Sequence, residues 1–237
     1  SYARGDSGSA LPNGKHIRNL VSISPDNANN GYWILFDEFT ADQPGKTVHI
    51  ALHPPTDRYE IVYPDKEYKW TINKVSGKDV NLTAFLGTEP LYTQIRSGVI
   101  GSYGNSFVGK YLYSTYPTDS TGKKNVVTVL FPHDANHKKA DMISISGSNY
   151  SGALVYLNDN TLDYVMESTG VETVSYNNFS FTGTALVYRN EKGLSKLYFV
   201  KDGKGFDDGT SFKQGFASDN AVTVYMNDKE GKIISKG

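Results

Sequence analysis

Gly31-Tyr32-Trp33-Ile34-Leu35-Phe36-Asp37-Glu38-Phe39 and, past a Pro44-Gly45 turn, Val48-His49-Ile50-Ala51-Leu52-His53-Pro54-Pro55 decide the fold class of this chain. The first run is almost wholly apolar, rich in aromatics and bounded by Asn29-Asn30 and by Asp42-Gln43-Pro44-Gly45. That suits a strand buried on both faces and is too short for a good helix. The second run alternates. Val48, Ile50 and Leu52 fall on one face, His49, Ala51 and His53 on the other, the period of a half-buried antiparallel neighbour. Trp33, set among Ile34, Leu35 and Phe36, reads as core. Trp70 in Lys69-Trp70-Thr71-Ile72 alternates with polar residues and could face either way.

Strand-length runs recur outward from this pair, among them Ile17 to Ile23, Leu91 to Ser97, Gly109 to Thr115, Asn125 to Phe131, Thr161 to Met166, Val171 to Tyr176 and Phe179 to Asn190. Turn dipeptides such as Thr121-Gly122 and Asp208-Gly209 punctuate them. No amphipathic helical pattern is found. Short strands at this spacing predict an all-β, large antiparallel two-sheet β-sandwich with little or no helix. Residues 1–14 hold Gly, Ser, Asn and Pro with little to bury, and read as a flexible lead-in; residues 15–237 form the sandwich, with a sub-boundary near 132–140 in a polar His/Asn/Lys loop. Arg4-Gly5-Asp6 in that lead-in is a chance tripeptide.

Composition excludes several function classes. The chain has no cysteine, hence no disulfide, and 24 Lys plus Arg against 25 Asp plus Glu give a formal net charge of −1. No global attraction to nucleic acid or to an anionic membrane follows from that balance. No window reaches the roughly 18 consecutive apolar residues of a membrane helix.

His49/His53 and His133/His137 have the i,i+4 spacing of helical metal ligands, but strand positions four apart are separated by about 13 Å. Zinc–nitrogen bonds are only about 2.0–2.1 Å long, so these read as sheet or loop histidines. No Gly-x-Ser-x-Gly elbow and no P-loop occurs. Asp37, Glu38, Asp57 and Glu60 could supply paired carboxylates, but carboxylates are too common for sequence to select a pair. Asp37 itself reads as a residue bonded to a turn or to an arginine. The segment Arg96-Ser97-Gly98 to Tyr103-Gly104-Asn105 combines a guanidinium, hydroxyls, an amide and an aromatic ring. That mixture suits a carbohydrate: rings stack on apolar CH faces, and Arg clamps a carboxylate or sulfate. A Gly-rich hairpin loop is the plainer alternative.

In order along the chain, His16-Ile17-Arg18-Asn19-Leu20, Tyr32-Trp33-Ile34-Leu35-Phe36-Asp37 and His49-Ile50-Ala51-Leu52-His53-Pro54 resemble the start of the C-terminal β-sandwich of heparinase II/III-like polysaccharide lyases. Ser102-Tyr103-Gly104, Val126-Val127-Thr128-Val129-Leu130-Phe131-Pro132 and Leu162-Asp163-Tyr164-Val165 continue the resemblance nearly to the end. It rests on the order of the motifs rather than on any one of them.

The resemblance implies a parent enzyme that cleaves acidic, uronate-containing polysaccharide by β-elimination. Such an enzyme would be bacterial and secreted, periplasmic or at the cell surface. It also implies that the main proton-transfer groups lie in an N-terminal helical domain, the polysaccharide and that domain being the expected partners. The family's His-x-His element is missing here, and its metal ligands would lie upstream of Ser1. No cofactor and no metal ligand is therefore expected within this chain, and the chain alone is not expected to be active. Arg18, His53, Arg96 and Tyr103 are the expected substrate-binding residues, chosen for their chemistry at strand ends and loops, with no catalytic residue among them. The alternative is a standalone carbohydrate-binding or cell-surface module using Trp33, Trp70 and tyrosines as stacking platforms.

Overall fold

The computed structural model describes residues 1–26, 29–62, 67–73, 77–102, 105–210, 213–215, 221–226 and 230–236. Among these the chain is strand and connection, with one 3-10 turn at Gly8–Ala10. The first half holds β1 (Tyr2–Asp6), β2 (Gly14–Ile23), β3 (Tyr32–Ala41), β4 (Thr47–Leu52), β5 (Tyr59–Val62), β6 (Glu67–Asn73), β7 (Asp79–Leu86), β8 (Tyr92–Ser102), β9 (Asn105–Pro117) and β10 (Lys123–His133). The second half holds β11 (Asp141–Ser146), β12 (Tyr150–Asn158), β13 (Thr161–Tyr176), β14 (Phe179–Glu191), β15 (Leu194–Lys201), β16 (Gly205–Asp207), β17 (Lys213–Gly215), β18 (Ala221–Met226) and β19 (Glu230–Lys236).

Three antiparallel sheets result. The first runs β1-β2-β3-β10-β7-β6-β5, the second β11-β12-β13-β14-β15-β18-β19 with β16 and β17 paired beside β14, and the third β4-β9-β8. The first and second sheets enclose the main core. Tyr32, Ile34 and Phe36 of β3 and Val127, Val129 and Phe131 of β10 meet Ala153, Val165, Val187 and Phe199 of the second sheet. Phe36 and Phe199 stack across the interface at 5.5 Å between ring centroids. This is the predicted antiparallel sandwich, extended by a layer on each outer face.

One extra layer is the third sheet, which seals the outer face of the first through Tyr68, Trp70, Leu86 and Leu112 and through Phe39, Ile50, Tyr116 and Val126. The other is the second sheet folded on itself. A register shift between Glu167 and Glu172 bends β13 away from its pairing with β14, and Val174, Phe179 and Phe181 then pack with Leu154, Leu186 and Val200 of the same sheet. Bulges of this kind bend a strand and re-aim its side chains.

A buried polar lock joins the two large sheets. Arg189 donates from Nε and Nη2 to the two oxygens of Asp163 at 2.6 and 2.9 Å, and the Tyr32 hydroxyl donates to Asp163 Oδ2 at 2.5 Å. A third nitrogen, Nη1, reaches Asp26 at 3.1 Å. Burial and Asp163 push the Tyr32 phenol far above its ordinary pKa, which keeps it a donor.

Four expectations change. Residues 1–14 carry β1, which pairs along β2 from Tyr2↔Val21 to Asp6↔Ile17; backbone pairing needs no apolar side chain, and Tyr2 supplies the anchor by stacking on Phe199. Strand β4 does not neighbour β3: its Val48, Ile50 and Leu52 face inward as alternation requires, but in the third sheet, paired to β9. The runs Thr161 to Met166 and Val171 to Tyr176 form one long bulged strand. Trp33 is 40% exposed, because it lies on the outward face of β3 beyond the cover of the third sheet, whereas Trp70 is buried and donates Nε1–H to the Lys110 carbonyl at 3.1 Å.

Candidate functional site

Alternation along the third sheet leaves its outer face uncovered. Leu112, Ser114 and Tyr116 of β9 point into the protein and are fully buried, so Tyr111 and Tyr113 face out. Register sets their neighbours. Tyr111 pairs with Arg96 of β8, and Tyr113 pairs with Gln94 of β8 and Ala51 of β4. His53 stacks on Tyr111 at 4.2 Å between centroids, and His49 on Tyr113 at 4.9 Å. From the opposite flank the Arg96 guanidinium lies 3.7 Å from the Tyr113 centroid. Gly98 leaves room for Tyr111: a Cβ there would come within 2.9 Å of its Cε1, and the ring would have to shift.

Arg96 is held in place by the same face. Its Nε and Nη2 both donate to Gln94 Oε1, at 3.0 and 2.8 Å, leaving other N–H groups of the fork for a ligand. Because β9 lies between β4 and β8, both faces of Tyr113 are occupied, by His49 and by Arg96. What the surface offers is therefore the polar edges of the rings and a cation, suited to hydroxyls and carboxylates rather than to a ring laid flat. Burial and neighbouring Arg96 lower the His49 pKa below the usual 6.5, so this imidazole is neutral at pH 7.

Of the sequence-predicted residues, the structure brings His53 and Arg96 together on this face. Arg18 lies elsewhere, on β2, clamping the fully buried Asp37 with Nε and Nη2 at 2.6 and 2.9 Å. His16 reaches Asp37 Oδ1 at 2.6 Å and stacks on Phe39. Asp37 is thus bonded to an arginine, as expected of it, and Arg18 is committed to the fold. Tyr103 lies outside the described residues. Tyr111, Tyr113, His49 and Gln94 were missed. The signal for them is the same alternation, in Tyr111-Leu112-Tyr113-Ser114 and Tyr92-Thr93-Gln94-Ile95-Arg96.

A second polar region lies where the two large sheets part. Glu38 accepts from Asn19 Nδ2 at 2.6 Å and from Lys201 Nζ at 3.3 Å. Across from it Glu167 of β13 is 3% exposed, and its Oε2 has no partner. Burial above all, then Glu38 and Asp37 against Lys201 and Lys124, raises the Glu167 pKa well above 4.5. A carboxyl that is harder to ionise in the folded than in the unfolded chain takes stability away as pH rises from about 4.5 to its raised value. Urea midpoints should fall across that interval in the wild type. In Glu167→Gln that part of the slope should vanish.

Among the described residues no group of three or more His, Cys, Asp or Glu is placed to hold a metal ion. Among the described residues no helix is long and apolar enough to cross a membrane.

No family model matches the chain, and no curated protein does. Solved structures do. A heparinase III gene product aligns over 80% of this chain and 25% of its own, with a TM-score of 0.48 and 14% identity; its lysine-methylated form gives 0.48 and 13%. Another chain described as heparinase III aligns over the same shares with a TM-score of 0.45 and 9% identity. This chain thus spans about a quarter of the length of the structures it matches.

Proposed function

We propose that this chain is the C-terminal β-sandwich of a heparinase II/III-like polysaccharide lyase, and that it holds an acidic, uronate-containing polysaccharide on the outer face of its three-stranded sheet. The observation that carries this reading is the convergence of His53, Arg96, His49, Tyr111 and Tyr113 on one uncovered face. The order of the sequence motifs supports the choice of family. Proton transfer is assigned to a helical domain of the parent chain. The sandwich contributes cleft wall and glycan binding.

A guanidinium clamped by Gln94 and stacked on Tyr113 loses little freedom when it meets a carboxylate, and charge-assisted bonds of this kind are the strong ones. Arg96→Ala should weaken binding of a uronate polymer about tenfold, which corresponds to about 1.4 kcal/mol. Titration of the chain with such a polymer, at low and at raised salt, measures it. The wild type should lose affinity as salt rises and the variant should lose less. Equal affinity of variant and wild type would remove Arg96 from the site. Affinity should also climb as pH falls through the His49 pKa, which burial and Arg96 hold below the usual 6.5.

Exposed Trp33, beside His133 and Pro132 on the first sheet's outer face, favours the second reading, a standalone carbohydrate-binding module. Ultraviolet absorbance separates the two. On the lyase reading the chain alone releases no unsaturated uronate, and joining it to its helical domain yields the product and tightens binding. On the module reading the chain alone binds with full affinity.

A further inference from the structure

Where the two large sheets part, a cleft of about 420 Å³ opens between the start of β10, the bulge of β13 and the turn joining β11 to β12. That is the size of small-molecule sites. Among the described residues two side chains lining it, Glu167 and the half-buried Lys124, make no hydrogen bond or ion pair. They attract one another electrostatically yet form no salt bridge with each other. Asp119, also at the rim, is spent on its own turn, where Oδ1 accepts from Thr121 N, Thr121 Oγ1 and Lys123 N at 2.7 to 2.9 Å. The Tyr150 ring lies over Gly147, where a Cβ would come within 2.3 Å of it, and lines the cleft.

The groups left over define the ligand. Burial lowers the Lys124 pKa and raises that of Glu167, so towards lower pH the first is an ammonium and the second a neutral carboxyl; both are then donors, and the complement is rich in acceptors and carries negative charge. Serine hydroxyls and a tyrosine ring complement hydroxyls and a CH face. We propose that this cleft binds a single sugar acid, its carboxylate taken by Lys124 and by the Glu167 carboxyl. The site is separate from the outer face of the third sheet and does not rest on the polysaccharide reading.

Groups from each surrounding strand bear on Glu167: Glu38 and Asp37 of β3, Lys201 of β15 and Lys124 of β10. Burial and the two acids keep it neutral well above the usual range. As pH rises through its raised pKa, it ionises, stops donating and repels the bound carboxylate.

The test is calorimetric titration of the whole chain with glucuronate and with glucose, at about pH 6 and about pH 9. Glucuronate should bind at least tenfold more tightly than glucose at the lower pH and lose most of that advantage at the higher. Lys124→Gln should cut glucuronate affinity about tenfold at the lower pH, while Glu167→Gln should keep the binding there and show a weaker pH dependence, the remainder coming from Lys124, whose pKa burial lowers. Failure of the wild-type chain to bind a uronate polymer, with saturable glucuronate binding kept, would fail the outer-face reading and spare this one. Equal affinity for the two sugars, no saturation by glucuronate, or an indifferent Lys124→Gln would overturn it.

Discussion

Asp163→Ala should destabilise the protein by about 3–5 kcal/mol, because it strands a buried arginine. Asp163 takes two bonds from Arg189 and one from the Tyr32 hydroxyl, and all three residues are essentially inaccessible to water. With Asp163 gone, Arg189 would keep Asp26, at 3.1 Å, and the Tyr198 ring, 4.9 Å from its guanidinium. Folded domains are stable by about 5–15 kcal/mol in total, so the change would consume a large part of that. The cost reflects an uncompensated charge rather than lost attraction. Asp163→Leu combined with Arg189→Met should therefore be much milder than Asp163→Ala alone. Urea unfolding of the single and double variants measures the difference.

Phe36→Ala should come close to that cost, about 3–5 kcal/mol, through a cavity the core cannot close. Phe36 is fully buried and stacks on Phe199 of the facing sheet. Because β2 and β10 flank β3 on both sides and pair along it, the backbone cannot collapse into the void. Trp33 provides the contrast. Three residues earlier on the same strand but 40% exposed, it should cost under about 1 kcal/mol when changed to Ala, as surface positions usually do.

Alternation and turn chemistry were enough to read the all-β sandwich, the burial of Tyr32, Ile34, Leu35 and Phe36, and the inward face of Val48, Ile50 and Leu52. Which strands pair was not legible. Pro44-Gly45 reads as a hairpin turn joining β3 to β4, yet the chain leaves the first sheet there, with Gly45 at φ 72°, and β4 pairs with β9. Period two tells which side chains share a face, but not which strand supplies the neighbour. Trp33 shows the same limit, since its surroundings depend on how far the third sheet reaches.

The site was legible in pieces. His53 and Arg96 stood out by their chemistry, but their meeting depends on the pairing order β4-β9-β8, which brings residues more than forty positions apart onto one face. Arg18 looked equally suitable and is instead held by Asp37, a consequence of the β2–β3 register. Nothing local marks Glu167. Its burial comes from the register shift in β13 and from the sheet opposite, both long-range facts.

Amide hydrogen exchange of the whole chain, with and without a soluble uronate polymer, tests the central claim most directly. Binding on the outer face of the third sheet predicts added protection concentrated in Thr47–Leu52, Tyr92–Ser97 and Lys110–Pro117. Protection confined to the second sheet, or no protection at saturating polymer, would contradict the account.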